Sequence, residues 1–277
     1  MRLIDTHSHH YEPEFEADRD EAVARAREAG VERLYFPAID SESHERMFEA
    51  VRRYGEYCRP MMGLHPTSVN ENPRWREELA QVAHYLNHPP QGIDRFWAVG
   101  EIGLDFYWSG EYRAEQQEAF VAQCRLAAQY DLPVVIHTRS AWAEMEQLLG
   151  EECAAARARG ERLRGILHAF TEDGATYRRM KAVAPEFLFG IGGVVTFKKS
   201  LLAETVVEMD LRDLVLETDC PYLTPTPFRG KRNESGYISY ICQRVAELKG
   251  LTEEEVADQT GRNAERLFAG ESPTEAG

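Results

Sequence analysis

Short apolar runs alternate along the chain with longer segments whose apolar residues recur at helical spacing. Eight of the short runs have the composition of strands: RLIDTH, VERLYFPAI, CRPMMGLHP, FWAVGEIGLD, PVVIHT, RGILHAF, EFLFGIGG and DLVLETDCPYL. Charged amphipathic segments lie between them, for example at 16–30, 113–131 and 141–160, and the first and third end in glycine, which often terminates helices. Eight strands that alternate with helices predict an α/β fold, a parallel (β/α)8 TIM barrel.

The length of 277 residues and a hydrophobic fraction of 43% suit one large barrel. We expect a single barrel domain over residues 1–268 and a disordered tail over 269–277, which reads AGESPTEAG. No apolar run approaches the ~20 residues of a membrane helix, and the start of the chain lacks a signal-peptide pattern. We therefore expect a cytoplasmic protein that does not associate with a membrane.

The formal net charge of −15 argues against a broad basic surface of the kind that coats DNA or RNA. A small phosphate pocket stays possible, because a bound metal supplies its own positive charge. The five cysteines are odd in number, widely spaced and form no CxxC motif, which indicates reduced thiols. We expect Cys220 to pack in the interior, since it has the opposite strand parity to its neighbour Asp219.

Imidazole and carboxylate side chains fall late in several predicted strands, where barrels build their active sites. Residues two apart share one face of a strand, so His7 and His9 can grip a single metal ion. Asp5 is expected on the same face, deeper, where it would orient a histidine rather than bind the metal. The other polar groups at strand ends are His65, Glu101, His137, His168 and Asp219.

Seven sequence blocks together resemble the TatD-type metal-dependent hydrolases, the TatD DNase family within the amidohydrolase-like barrels. They are DTHSH, GLHP, VGEIGLDFY, PVVIHTRSA, LHAFT, ETDCPYLTPTPFRGKRNE and NAERLF, in the family's order between residues 5 and 268. The resemblance implies a barrel with one or two divalent metal ions that hydrolyses phosphodiesters, often DNA from an end. Two positions depart from the family's pattern without removing a ligand: His10, where an apolar residue is more usual, and Cys220, where alanine is commoner.

The resemblance also implies a set of metal ligands. His7 and His9 would bind the first metal and Asp219 would complete it. Glu101 would bridge to a second metal, whose imidazole ligands would be His137 and His168.

Two metals about 3.5–4 Å apart can clamp a phosphate, activate water and stabilise the departing oxygen. Mixed imidazole and carboxylate ligands suit Zn²⁺ or Mn²⁺ better than Mg²⁺, although the identity of the ion stays open. Asp219 is a candidate to accept the proton of the attacking water, and Glu217 is expected to be a buried, hydrogen-bonded carboxylate. His65 is a candidate to contact a phosphate oxygen or protonate the leaving group, or else a rim histidine.

Basic residues beside the site motifs are candidate phosphate contacts. Arg229, Lys231 and Arg232 belong to the sequence RGKR on the loop after the eighth predicted strand, a frequent phosphate site in barrels. Arg139 follows His137 and is a further candidate. For each of these residues, a solvated loop position or an outward salt bridge is the alternative.

Other residues near the motifs have less specific expectations. The aromatic run at 106–108 could stack a nucleobase or cap the barrel. His44, His84 and His88 fall in helical or loop segments, and we expect them at the surface.

Two alternative functions compete with the hydrolysis of phosphodiesters. One is a metal-dependent hydrolase of an amide, lactone or aminoacyl ester, since related barrels host many chemistries. A carbamylated lysine on the fourth strand would favour it, but Glu101 occupies the bridging place. The other is a non-catalytic metal-binding or scaffold protein, against which the full ligand set argues. The expected substrate is DNA or a small phosphodiester, and no obligate protein partner is evident.

Overall fold

The structure, a computed structural model, describes residues 1–270. The eight predicted strands are present as β1 (Leu3–Asp5), β2 (Val31–Phe36), β3 (Cys58–Pro60), β4 (Val99–Asp105), β5 (Val134–Arg139), β6 (Gly165–Leu167), β7 (Phe187–Ile191) and β8 (Leu214–Leu216). The α-helices are α1 (Arg19–Glu28), α2 (His44–Tyr54), α3 (Trp75–Asn87), α4 (Arg113–Gln129), α5 (Trp142–Ala158), α6 (Gly174–Val183), α7 (Leu202–Glu208), α8 (Ile238–Lys249) and α9 (Glu253–Ala269).

The strands are parallel and form two sheets, one with the order β1-β2-β3 and one with the order β4-β5-β6-β7-β8. Backbone contacts join the sheets at both seams. Met62 pairs with Val99 between the third and fourth strands, and Ser8 pairs with Cys220 between the first and the eighth. The fold is therefore the expected (β/α)8 barrel.

The barrel interior is closed at one end by the last helix. Apolar residues from most strands, among them Ile4, Val135 and Val215, form a buried cluster that packs against α9. Phe268 of this helix stacks on Tyr35 of β2, with ring centroids 3.8 Å apart. Because α9 covers the amino-terminal ends of the strands, the opposite, carboxyl-terminal end is left for polar side chains.

The ends of α9 follow directly from its sequence. Thr252 and Glu255 form a reciprocal capping box at its start, and Gly270 ends it in the left-handed conformation. The tail expected at 269–277 therefore begins with an ordered helix end, and its residues 271–277 lie outside the described part of the chain. Within residues 1–270, no helix combines the length and apolar character needed to cross a membrane.

Candidate metal centre

The six side chains expected to bind metal converge at the carboxyl-terminal end of the barrel. The Nε2 atom of His7 lies 3.0 Å from Glu101 Oε2. The Nε2 atoms of His9 and His168 lie 3.4 and 3.7 Å from Asp219 Oδ1. Carboxylates from β4 and the end of β8 thus meet imidazoles from the strands between and beside them.

Glu101 separates these groups into two sets, one around each of its carboxylate oxygens. Its Oε2 atom faces His7 at 3.0 Å and His9 at 3.9 Å. Its Oε1 atom faces His137 at 3.2 Å and His168 at 4.0 Å. A carboxylate with imidazoles on both sides has the arrangement of a ligand shared between two cations.

Three of the imidazoles have a neighbouring polar group on the ring nitrogen that lies away from the centre, so that the other nitrogen faces the centre. Tyr11 donates its hydroxyl hydrogen to the carbonyl of Pro37, at 2.6 Å, so it accepts a hydrogen bond from His9 Nδ1, at 2.9 Å. Asp105 is hydrogen-bonded to His137 Nε2 at 3.0 Å, and the Glu217 carboxylate lies 3.0 Å from His168 Nδ1. Partners of this kind fix the ring orientation of metal-binding histidines.

The donor set fits a bound cation. The Nε2 atoms of His7 and His9 lie only 3.2 Å apart, and the Nδ1 atom of His137, opposite its Asp105 contact, faces the carboxylate of Glu101. These are lone pairs aimed at lone pairs, which a proton or a metal ion must separate. A divalent ion supplies that charge with the nitrogen and oxygen ligands that Zn²⁺ and Mn²⁺ accept.

Electrostatics in the centre favours ionised carboxylates. Burial alone would raise the pKa of Glu101, but His7 and His65 outweigh it and hold that pKa well below its usual range. Burial opposes ionisation of Asp219 as well, yet His168 and His9 lower its pKa. For His168, burial lowers the pKa, but Glu217 and Asp219 together raise it to about 10.

His65 lies beside the Oε1 atom of Glu101, the oxygen that also faces His137 and His168, and not at the outer rim of the barrel. Its Nε2 atom is 3.4 Å from Glu101 Oε1, and its Nδ1 atom accepts a hydrogen bond from the backbone N–H of Thr67 at 3.2 Å. Because Nδ1 accepts, the ring hydrogen resides on Nε2 and points into the centre. Burial lowers the pKa of His65 below its ordinary value, which favours this neutral, hydrogen-donating form.

Asp105 and Tyr11 are the supporting residues that the sequence reasoning missed. The position of Asp105 could have been predicted, since it lies four residues after Glu101 and therefore on the same face of the strand. Tyr11 lies beyond the end of β1, where alternation no longer indicates direction. Glu217 is the buried, hydrogen-bonded carboxylate that was expected, and it accepts a hydrogen bond from the backbone N–H of Ala169 at 2.6 Å.

Asp5 acts differently from its expected role. Its carboxylate accepts hydrogen bonds from the backbone N–H of His7 at 3.3 Å and of Thr218 at 2.9 Å, and from the hydroxyls of Thr218 and Ser235 at 2.6 and 2.5 Å. Among residues 1–270 its carboxylate forms no hydrogen bond with an imidazole of the candidate metal centre, because β1 ends at Asp5 and the two-residue alternation does not continue to His7 and His9. Asp5 instead ties β1 to β8.

Five other cysteine and histidine residues differ in how deeply they are buried. Cys220 is fully buried and unpaired, as expected of a packing residue, and the unusual His10 is buried beside Ser235, 2.9 Å from its hydroxyl. His44 was expected at the surface and is buried, because α2 turns it onto the rings of Phe48 and Tyr85. The other two histidines of that group, His84 and His88, are exposed.

A cavity of about 520 Å³ opens above the metal centre. Arg139, expected from the sequence, and Arg46 of α2 both line it. The guanidinium of Arg139 lies 3.7 Å from the ring centre of Tyr107 and has no carboxylate partner among residues 1–270. The exposed rings of Trp108 and Tyr222 line the same cavity, so its rim combines cations with aromatic faces.

The sequence RGKR does not line this cavity. Arg232 pairs with Asp18, at 2.6 Å between Nη1 and Oδ1, and its guanidinium covers the ring of Phe15. Arg229 stacks on Phe197 at 3.8 Å instead. The loop after β8 therefore carries these cations away from the metal ligands.

Comparisons with known proteins agree with this geometry. The family model described as "TatD related DNase" matches residues 4–269. The chain is 36% identical over 267 residues to the "Uncharacterized metal-dependent hydrolase YabD" of Bacillus subtilis, covering 96% of this chain and 98% of the relative. It is 33% identical over 262 residues to the "3'-5' ssDNA/RNA exonuclease TatD" of Erwinia tasmaniensis, covering 92% and 95%. The crystal structure of YJJV, a TatD homologue from Escherichia coli, superposes with a TM-score of 0.84 and 28% identity, covering 97% and 98%.

Proposed function

This chain belongs to the family of TatD-related DNases and is a metal-dependent hydrolase of phosphoester bonds, and we propose that its substrate is DNA, cut at its phosphodiesters. The observation that carries the proposal is the position of Glu101 between two sets of imidazoles. Two cations held by a shared carboxylate suit the in-line displacement at a phosphodiester. The relatives named as nucleases support the same substrate class.

We infer that His7, His9 and Asp219 would hold one ion and that His137 and His168 would hold a second, with Glu101 as a ligand available to both. When bound, divalent ions would supply Lewis acidity toward the phosphate and activate water. Zn²⁺ and Mn²⁺ fit this mixed donor set better than Mg²⁺ does.

The chain's own side chains would handle protons and orient the substrate. Asp219 is held ionised by its imidazole neighbours, so it can accept the proton of the attacking water. His65 carries its ring hydrogen toward the centre, where it would donate to a phosphate oxygen or to the leaving group. Arg139 and Arg46 lie in the cavity wall. Arg46 is paired with Glu12, at 3.3 Å between Nη2 and Oε2, so Arg139 is the guanidinium that we propose binds phosphate oxygens.

The test is an activity screen on protein stripped of metal with a chelator and reloaded separately with Zn²⁺, Mn²⁺ or Mg²⁺. The substrates are single-stranded DNA, duplex DNA and RNA, together with simple esters, amides and lactones. The matched control is Glu101→Gln, which preserves shape and removes the shared anion. We expect metal-dependent cleavage of DNA by the parent and a large loss in the variant; hydrolysis of an ester, amide or lactone without cleavage of any nucleic acid would refute the proposed substrate.

We also propose a cytoplasmic setting for the enzyme. All five cysteines, at 58, 124, 153, 220 and 242, are buried and unpaired, as expected of a protein that folds in a reducing compartment.

A further inference from the structure

We propose that the loops after β7 and β8 form a second contact surface for the nucleic-acid strand, away from the bond that is cleaved. This distal strand surface consists of residues 197–199 and 228–231. The inference rests on the proposed function, because it assumes that a strand enters the metal centre. It assigns to the RGKR cations a role in holding neighbouring nucleotides rather than the scissile phosphate.

The first support is uncompensated positive charge. Lys198, Lys199, Arg229 and Lys231 are all exposed, and none has a carboxylate within 4.0 Å among residues 1–270. The next cation along the chain, Arg232, is by contrast neutralised by Asp18. The net charge of the chain is −15, so four unpaired cations on two adjoining loops form a locally positive patch on an acidic protein. Such a patch attracts a polyanion such as a nucleic-acid strand.

The second support is the pairing of these cations with aromatic rings. The Arg229 guanidinium lies 3.8 Å from the ring centre of Phe197, and Lys231 Nζ lies 5.6 Å from that of Phe228. Phe228 also stacks on Tyr237, with ring centroids 4.3 Å apart. Surfaces that hold single strands without sequence preference combine a cationic path with rings on which bases stack.

The third support is shape. A hydrogen bond from the backbone N–H of Thr226 to Thr196 Oγ1, at 2.8 Å, joins the two loops. Beside this junction lies a cavity of about 440 Å³, whose wall includes Phe197, Lys198 and Tyr240. Glu204 also lines the cavity, and Arg244 in its wall is paired with Glu247. The side of this cavity that the loops form therefore carries cationic and aromatic residues, and the side that the helices form carries both acidic and basic residues.

The loop after β8 connects this surface to the metal centre. Asp219 lies three residues after the end of β8, and both Asp219 and Tyr222 line the catalytic cavity. Arg229 follows on the same segment. A strand whose scissile phosphate lies at the metal centre can thus continue past Tyr222 onto the distal strand surface, where phosphates meet the four cations.

The experiment compares two charge-neutralising double variants with a matched control. Lys198→Gln/Lys199→Gln and Arg229→Gln/Lys231→Gln each remove two cations of the surface. Arg157→Gln/Arg262→Gln removes two exposed cations that also lack carboxylate partners among residues 1–270, and these lie near the opposite end of the barrel. Binding of a fluorescent twelve-nucleotide single-stranded DNA is measured by anisotropy over a range of salt concentrations, and cleavage is measured for the same DNA and for a dinucleotide.

We expect each surface variant to weaken binding of the long strand about three- to tenfold. The slope of log affinity against log salt concentration should become less steep by about 0.7 for each phosphate that the variant no longer neutralises, because 0.7 is the value for single strands. The rise in KM should grow with strand length and be smallest for the dinucleotide, while the control variant matches the parent. Equal losses for both lengths, surface variants that bind like the control, or a parent that binds no single strand would each overturn the proposal. Binding with the expected salt slopes but without cleavage would instead refute the proposed nuclease activity and leave the surface assignment intact.

Discussion

Replacing Asp5 by asparagine should change how the stability of the metal-free protein depends on pH. Asp5 is fully buried, and burial raises its pKa to about 7 despite four hydrogen bonds from Ser235, Thr218 and His7. The folded state therefore binds a proton at Asp5 between about pH 4 and pH 7, where the unfolded chain does not. The contribution of Asp5 to the free energy of unfolding must therefore rise as the pH falls from about 7 to about 4.

The magnitude follows from the two pKa values. The ordinary value is 3.8 and the folded value is about 7, and each pKa unit corresponds to about 1.4 kcal/mol. Asp5 should thus add about 4 kcal/mol to the free energy of unfolding at pH 4 relative to pH 8. The amide of the Asp5→Asn variant is neutral at every pH, keeps an oxygen for the two backbone N–H groups and can donate to the two hydroxyls. Near pH 4.5, where Asp5 is protonated, the variant should therefore match the parent to within about 1 kcal/mol. At pH 8, where the parent buries an ionised carboxylate, the variant should be the more stable protein.

The assay is urea unfolding of chelator-treated parent and Asp5→Asn at several pH values between 4.5 and 8. The difference between the two proteins isolates Asp5, because His10, whose pKa burial lowers to about 3, is present in both. The control is Asp5→Ala, which leaves the buried backbone N–H groups of His7 and Thr218 without an acceptor and should cost about 2–6 kcal/mol near pH 4.5, where Asp5 of the parent is protonated. A difference between parent and Asp5→Asn that stays constant with pH would show that Asp5 is ionised in the folded protein and would refute the reasoning.

Three further predictions concern the metal centre and its surroundings. Glu101→Gln should lower the metal content measured by elemental analysis by at least one ion per chain, because the shared anion is lost; unchanged content would contradict a bridging role. Asp219→Asn should reduce the single-turnover rate on DNA by about 10²–10⁴-fold, the usual cost of removing a general base, with a smaller change in KM; a parental rate with metals in place would remove Asp219 as the base. Arg232→Gln should change the KM for DNA less than twofold, since Asp18 already occupies its guanidinium; a large increase in KM would instead place Arg232 on the phosphate.

The barrel could be predicted from the sequence because strand-like runs alternate with helical segments. The convergence of His7, His9 and Glu101 could be predicted because the carboxyl-terminal ends of parallel barrel strands meet at one edge, whichever helices lie between. The direction of the Asp5 side chain could not, because β1 ends at Asp5 and the following backbone is no longer a regular strand.

Residues on loops and helices could not be placed in this way. The position of RGKR beside Asp219 in the sequence indicated a place beside the substrate phosphate, but the turns between them carry Arg232 to Asp18 instead. Arg46 reaches the catalytic cavity from α2, and nothing in its local sequence distinguishes it from other helical arginines. Such positions depend on packing between distant segments, which periodicity does not encode.

The seam between the first and last strands has a consequence for how the protein is made. The backbone N–H of Asp219 donates to the carbonyl of His7 at 2.9 Å, and Asp5 holds Thr218, 213 positions along the chain, at 2.9 Å. A nascent chain that has emerged only through β7 carries five of the six proposed metal ligands. It lacks Asp219 and the strand β8, which adjoin His7 and His9 in the complete barrel. Tight retention of metal should therefore mark completed synthesis, and fragments released before β8 should give up their ions to competing chelators.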